Sequence, residues 1–154
     1  LGGPVLLATF AVYTQTGSDG LYFPYMCIYS MALVGICIGY IVRSKSAAEK
    51  QTGTVALTSQ LLGSVSEPTI YGILFRNKTC LIVEVVASGI AGFYCGLTHT
   101  AVGGMTFSLP VVGSFLAFSG ASTANMVNGA ISLVAAFALA LIGTLVFYKE
   151  ENAA

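Results

Sequence analysis

The sequence predicts an all-α polytopic membrane protein, with about three spanning helices and two re-entrant hairpins that enter from opposite faces. Three observations carry that expectation. The first is composition: of 154 residues, 56% are hydrophobic and only 8% charged, about a third of the roughly 25% a soluble domain uses to solvate its surface. The second is three uninterrupted apolar runs of spanning length. The third is two further apolar runs broken near their centres by residues that a helix in lipid does not carry without a reason.

The uninterrupted runs are residues 21–42, 79–97 and 128–148. Each holds about 20 residues, enough for a ~30 Å hydrocarbon core at 1.5 Å per residue. The broken runs are residues 54–75, interrupted by Ser66-Glu67-Pro68, and residues 101–119, which contain Gly103-Gly104 and Pro110. Proline removes a helix hydrogen bond and a buried carboxylate is costly, so both read as hairpins rather than spans. Residues 1–13 are apolar but shorter than a span, and read as the tail of a longer helix or a short re-entrant piece. The chain opens on Leu1 with no basic segment before the apolar one, so it does not read as a signal peptide. We therefore expect the C-terminal part of a larger transport domain.

The basic residues decide between spans and hairpins. If every apolar run spanned, the six would divide four to two across the membrane. With both broken runs entering and leaving on one face, Arg43, Lys45, Lys50, Arg76, Lys78 and Lys149 all fall on the cytoplasmic side, as the positive-inside rule prefers. The first hairpin then dips in from the cytoplasm and the second from outside. The stretch 54–66, if helical, covers roughly 20 Å and carries the Ser66-Glu67-Pro68 tip to about mid-bilayer. Non-helical backbone at that depth is tolerated only where it is buried in protein or lines a polar cavity, which is a transporter feature. Gly35-x3-Gly39 and Gly92-x3-Gly96 are spaced for close helix packing.

Several function classes are excluded. Six Lys and Arg balance six Asp and Glu, so no basic field exists for nucleic acid. His99 is the only histidine and reads as a solvated loop residue. The four cysteines, Cys27, Cys37, Cys80 and Cys95, lie in apolar runs without C-x-x-C spacing and read as small buried hydrophobes. No metal and no cofactor is expected. Asn77-Lys78-Thr79 matches a glycosylation sequon, but its basic surroundings mark a cytoplasmic loop.

Glu67 is the strongest candidate for chemistry, because an ionisable group deep in a membrane suggests a function. Ser66 and Thr69 set hydroxyls on either side of it. A carboxylate among hydroxyls suits sugar recognition: it accepts hydrogen bonds from paired hydroxyls and can take a proton from one that reacts. The competing structural reading is that Glu67 only caps the return half-helix. Asp19, just ahead of a helix starting near Leu21, reads as an N-cap or as a polar group at the edge of a substrate chamber. Glu84, near the cytoplasmic start of its helix, is expected to snorkel or to pair with Arg76 or Lys78. The glycines of the second break could let backbone approach a ligand.

The run Gly63-Ser64-Val65-Ser66-Glu67-Pro68-Thr69-Ile70-Tyr71-Gly72, followed by Arg76 and Lys78, resembles the G-I-T-E-P-A-I-Y-G signature of a known family. This is the membrane (EIIC) domain of bacterial phosphotransferase-system (PTS) sugar permeases. The I-Y-G ending is closer to the β-glucoside, sucrose and trehalose branch of the glucose–glucoside superfamily than to the glucose branch. Asp19 followed by Pro24, the glycine-rich stretch 89–96 and the Gly/Pro-containing second break are also similar. Ser66 stands in place of the usual Thr, Thr69 in place of Ala, and Ser64 is inserted so that Gly63 falls one position early. The resemblance covers about residues 16–151, and implies that residues 1–154 are the C-terminal part of one EIIC domain, with hairpins at about 54–75 and 101–119.

What the resemblance implies is group translocation at the bacterial cell membrane. A sugar bound in the EIIC chamber receives phosphate from a phosphocysteine on a cytoplasmic IIB domain, and leaves inside the cell as a sugar phosphate. Glu67 would be the catalytic residue, binding sugar hydroxyls near the phosphate acceptor, with Ser66, Thr69 and Asp19 as further substrate-binding residues. The implied partners are the sugar, IIB, the lipid bilayer and, in the complete protein, a second copy. No phosphoryl-carrying residue of a IIB type is in the chain, so it would act as one part of a sugar phosphotransferase. Read from residues alone, two alternatives stand beside this: an ion-coupled secondary transporter using Glu67 as a proton or cation site, and a membrane assembly subunit that uses its glycine faces for packing.

Overall fold

The computed structural model describes residues 2–103, 111–120 and 122–149. They form helices joined by short loops, with one isolated antiparallel bridge between Asp19 and Val102. Helix α1 (Gly2–Thr16) is 15 residues long, short of a span, as its apolar run predicts. It stops at Gly17, whose φ of 73° is left-handed and whose N–H reaches Tyr13 O at 2.8 Å, the position glycine fills best because it has no Cβ to clash.

Among the described residues, three helices are long and apolar enough to cross a membrane: α2 (Tyr22–Arg43), α5 (Lys78–Leu97) and α7 (Thr123–Phe147). The first two match the expected runs to within a residue. The third starts five residues before the expected 128, since Ser122 caps it: its Oγ accepts the Asn125 N–H at 3.1 Å. The polar residues of that first turn hid the start from hydropathy. Asn125 ties down what precedes it, donating to Ala101 O and Phe118 O at 2.8 Å each and accepting from Ala101 N–H at 2.8 Å.

Helix α2 is the centre of the fold. Its Ile28, Leu33, Ile36, Cys37 and Tyr40 are essentially inaccessible, because α7, α5 and the following helix all pack on it. It runs parallel to α7. A Cβ added at Gly35 would lie 2.5 Å from Phe137 O, and one at Gly39 would lie 2.8 Å from Thr144 Cβ. Farther along, the Tyr40 and Tyr148 rings sit 4.9 Å apart, and Arg43 Nη2 donates to Tyr148 O at 3.4 Å. The Gly35-x3-Gly39 expectation therefore finds its partner in α7. Gly92-x3-Gly96 does not: a Cβ at either position meets nothing within 4 Å among the described residues, because α5 turns its Val83 and Tyr94 side chains to α7 instead. Val83 lies beside Gly143 and Tyr94 Oη donates to Asn128 Oδ1 at 3.1 Å, so α5 is antiparallel to α7.

These directions collect the basic residues. Arg43 ends α2, Lys45 and Lys50 surround the start of α3 (Ala47–Gly63), Arg76 and Lys78 flank the start of α5, and Lys149 follows α7. All six lie at one end of the bundle. The other end carries Asp19, exposed His99 and the Asn125 loop junction.

The second expected hairpin, residues 101–119, falls partly on residues 104–110, outside the described residues. Its described ends meet: Gly103 N–H donates to Ala117 O at 3.1 Å, where the short α6 (Val111–Ala117) ends. Asp19 stands beside this junction, exchanging both backbone hydrogen bonds with Val102 at 2.9 and 2.7 Å. Its carboxylate Oδ2 accepts the Phe23 N–H at 2.6 Å, capping α2 while only 7% exposed.

Two stability effects follow, both read as the thermal midpoint of the detergent-extracted parent protein. Gly35→Ala forces a methyl group against the α7 backbone, which cannot rotate away, and should cost about 1–3 kcal/mol. Asp19→Ala removes the α2 cap and should cost about 0.5–2 kcal/mol, with Asp19→Asn retaining most of it.

Candidate functional site

The first broken run is two arms and a tip. Helix α3 climbs to Gly63 and stops because Ser64 turns left-handed, with φ 52°. Its N–H returns to Gln60 O at 3.1 Å and the Val65 N–H to Ser59 O at 3.2 Å. These bonds satisfy carbonyls that a helix end would leave open. The inserted Ser64, not Gly63, is thus the residue that makes the turn.

The chain then reverses. Ser66 O accepts the Ile70 N–H at 2.9 Å, which starts the short α4 (Glu67–Thr69) with Pro68 in its first turn, a position where the missing N–H costs nothing. A π-helical turn, Ile70–Leu74, continues it. The return arm descends beside α3: Gly72 lies against Thr52, and Arg76 Nη2 reaches Glu49 Oε1 at 3.4 Å. The run therefore ends at the level where it began.

Of the expected site residues, the structure puts Ser66, Glu67 and Thr69 together at the tip and gives them different surroundings. Glu67 is exposed and Ser66 half-exposed. Thr69 has no accessible surface, and its Oγ1 stands 3.4 Å from Cys37 Sγ on α2. That contact pins the tip to the central helix. Asp19 belongs to another place. Its carboxylate caps the N-terminus of α2, while Thr69 reaches α2 at Cys37, roughly 20 Å farther along at 1.5 Å per residue.

Two further polar residues face the interior of the bundle: Tyr29, half-buried against the core on α2, and Glu84 on α5. Glu84 neither snorkels nor pairs with Arg76 or Lys78, contrary to expectation. It is 4% exposed, and its Oε1 accepts the Ser88 hydroxyl at 2.6 Å, one turn on. The reason is rotational: Val83, Glu84, Ala87, Ser88 and Ala91 form the buried face of α5, so the carboxylate points into the bundle, and Arg76 pairs with Glu49 instead. The i, i+4 spacing of Glu84 and Ser88 was the available sequence signal.

The exposed carboxylate at a mid-fold helix break is an acceptor for hydroxyl groups, with Ser66 beside it able to donate or accept. Neither a family model nor a solved structure matches the chain. Curated relatives do. The chain is 29% identical over 139 residues to the "PTS system arbutin-, cellobiose-, and salicin-specific EIIBC component" of Escherichia coli K12, covering 90% of this chain and 27% of that protein. It is 31% identical over 126 residues to the "PTS system sucrose-specific EIIBCA component" of Pediococcus pentosaceus, covering 80% of this chain and 18% of the relative. The trehalose-specific EIIBC component of Escherichia coli K12 aligns at 30% identity over 82 residues, 53% of this chain and 17% of that protein. The chain thus spans about a quarter or less of the length of these relatives. The chain is thus similar to sugar-specific components of the phosphotransferase system, of the kind named for β-glucosides, trehalose and sucrose, in agreement with its three apolar helices and its tip motif.

Proposed function

We propose that this chain is part of the EIIC membrane domain of a PTS permease that phosphorylates its sugar during uptake. The observation that carries the reading is the Ser66-Glu67-Pro68 tip, an exposed carboxylate held at a helix break between two apolar arms. Each relative is named as a sugar-specific PTS component with IIB joined to IIC, which supports a IIB phosphoryl donor and a sugar substrate here.

In this reading the arms of residues 54–75 form a hairpin entering from the cytoplasm. The Glu49–Arg76 pair at their base and the six basic residues at that end of the bundle support it, since cytoplasmic loops are enriched in Lys and Arg. Residues 101–119, whose described ends meet at the opposite end, form the counterpart entering from outside. The protein crosses the bacterial cell membrane several times and works as a homodimer.

The chemistry assigned to Glu67 follows from its position. It accepts hydrogen bonds from sugar hydroxyls next to the reacting one, with Ser66 in support. That hydroxyl oxygen attacks the phosphorus of the IIB phosphocysteine, the phosphorus–sulfur bond breaks, and the thiolate leaves. The hydroxyl proton passes to Glu67. Thr69 and Asp19 act at one remove: the first through Cys37 on the height of the tip, the second on the start of α2 at the chamber's outer edge.

Two experiments test this. In membrane vesicles carrying the complete parent protein, labelled β-glucosides and disaccharides should be phosphorylated only when phosphoenolpyruvate and the soluble phosphocarriers are present. Glu67→Gln should lower that rate by about a hundredfold or more, the scale of a lost general base. Free sugar accumulating on a proton gradient would point instead to ion coupling. For topology, single cysteines at Lys45 and Lys78 should be alkylated from the same side of sealed vesicles, and labelling from opposite sides would overturn the hairpin.

A further inference from the structure

The seam between α5 and α7 opens to the surface as an apolar groove of about 490 Å³. Its floor holds the buried Val83 and Ala87, with Gly143 opposite. A Cβ added at Gly143 would meet Val83 Cγ1 at 2.8 Å, so the helices touch there. The exposed Ile82 and Ile142 form walls from α5 and α7. Because the helices run antiparallel about the Val83–Gly143 contact, Thr79 stands level with Phe147 and Ala87 with Leu139. From Thr79 to Ala87 the groove is therefore about 12 Å long at 1.5 Å per residue. One leaflet of a ~30 Å hydrocarbon core is about 15 Å deep.

The two ends of the groove differ. Thr79, the polar residue of the lining, lies at the basic end directly after Lys78, and Phe147 lies there two residues before Lys149. Both lysines are exposed, and the Glu49–Arg76 pair at that end uses neither. A lysine at the edge of a membrane lays its apolar stem along the helix and presents its ammonium at the interface. Toward Ala87 and Leu139 the lining is apolar throughout. The arrangement is thus two cations and a hydroxyl over an apolar slot about as deep as one leaflet.

We infer that this groove binds one acyl chain of a phospholipid, whose phosphate is held by Lys78 and Lys149 with Thr79 as a further donor. A free phosphate or a sugar phosphate would meet the cations but leave the groove empty. Glu150 and Glu151 follow Lys149 in the sequence, so the charge at this end is mixed. The lysines therefore select the phosphate that all phospholipids share, not a net negative headgroup. Basic residues between membrane helices on the cytoplasmic side are suited to lipid headgroups. Placing the chain in the cytoplasmic leaflet rests on the topology proposed above, whereas the groove and its cations stand without it.

The test uses the complete parent protein in detergent, labelled with a phosphatidylglycerol that carries a photoreactive group on its acyl chain. Labelled peptides should map to residues 79–87 and 139–147. Unlabelled phosphatidylglycerol and phosphatidylethanolamine should both displace the probe about thirtyfold better than diacylglycerol of the same chains, at about fivefold for each lysine. Replacing both lysines, Lys78→Gln with Lys149→Gln, should close that gap, and Lys78→Arg with Lys149→Arg should keep it. Thermal midpoints of both double variants should match wild type, since the lysines are exposed. Label confined to other peptides overturns the site, and so does a groove left unlabelled because another helix of the parent or a second copy fills it. Diacylglycerol competing as well as the phospholipids, or a gap that persists in the glutamine variant, overturns the phosphate contact and with it the inference.

Discussion

The end of a helix leaves backbone groups open, and these must find partners. The tip at residues 64–66 meets that constraint locally. Ser64 and Val65 return their N–H groups to Gln60 and Ser59, and the Ser66 carbonyl takes the Ile70 N–H. With the backbone closed on itself, the side chains of Ser66 and Glu67 remain available at the turn. The Thr69–Cys37 contact then fixes that turn against α2. The exposed Glu67 and the buried Thr69 that anchors the turn therefore lie on opposite sides of one short helical turn.

The central helix sets the level of everything else. Its small-residue face at Gly35 and Gly39 brings α7 close in a parallel direction, and α5 then packs antiparallel. Those two directions place every basic residue at one end. The same arrangement turns the Glu84 side of α5 into the bundle. Packing between apolar helices and the placing of the tip are thus linked through α2: its glycine positions meet α7, while Cys37 meets the broken run.

Much of this was legible in the sequence because hydropathy and helix breakers act locally. The three long helices, the break at Ser66-Glu67-Pro68 and the segregation of charge all follow from residue type and order. Other features were not local. The start of α7 was hidden by polar residues whose partners, Ala101 and Phe118, come from the preceding loop. The two glycine pairs look alike in sequence, but only one faces a neighbouring helix among the described residues. Asp19 read first as a cap, with a chamber role as the alternative, and the capping bond to Phe23 is a matter of a single side-chain direction.

By itself the sequence determined that this chain is helical, apolar and interrupted, and its tip motif pointed to one family of sugar permeases. Those properties depend on residue type, on spacing, and on the cost of leaving a carboxylate or an open backbone group in an apolar setting. Only the tertiary structure decided which way each helix turns its polar residues. It sent Glu84 inward rather than to the basic end and buried Thr69 against Cys37. The physical reason is that helix rotation is set by the close fit of side chains from distant parts of the chain. A change of one residue's direction around the axis moves a carboxylate from a solvated edge to the buried face of a helix.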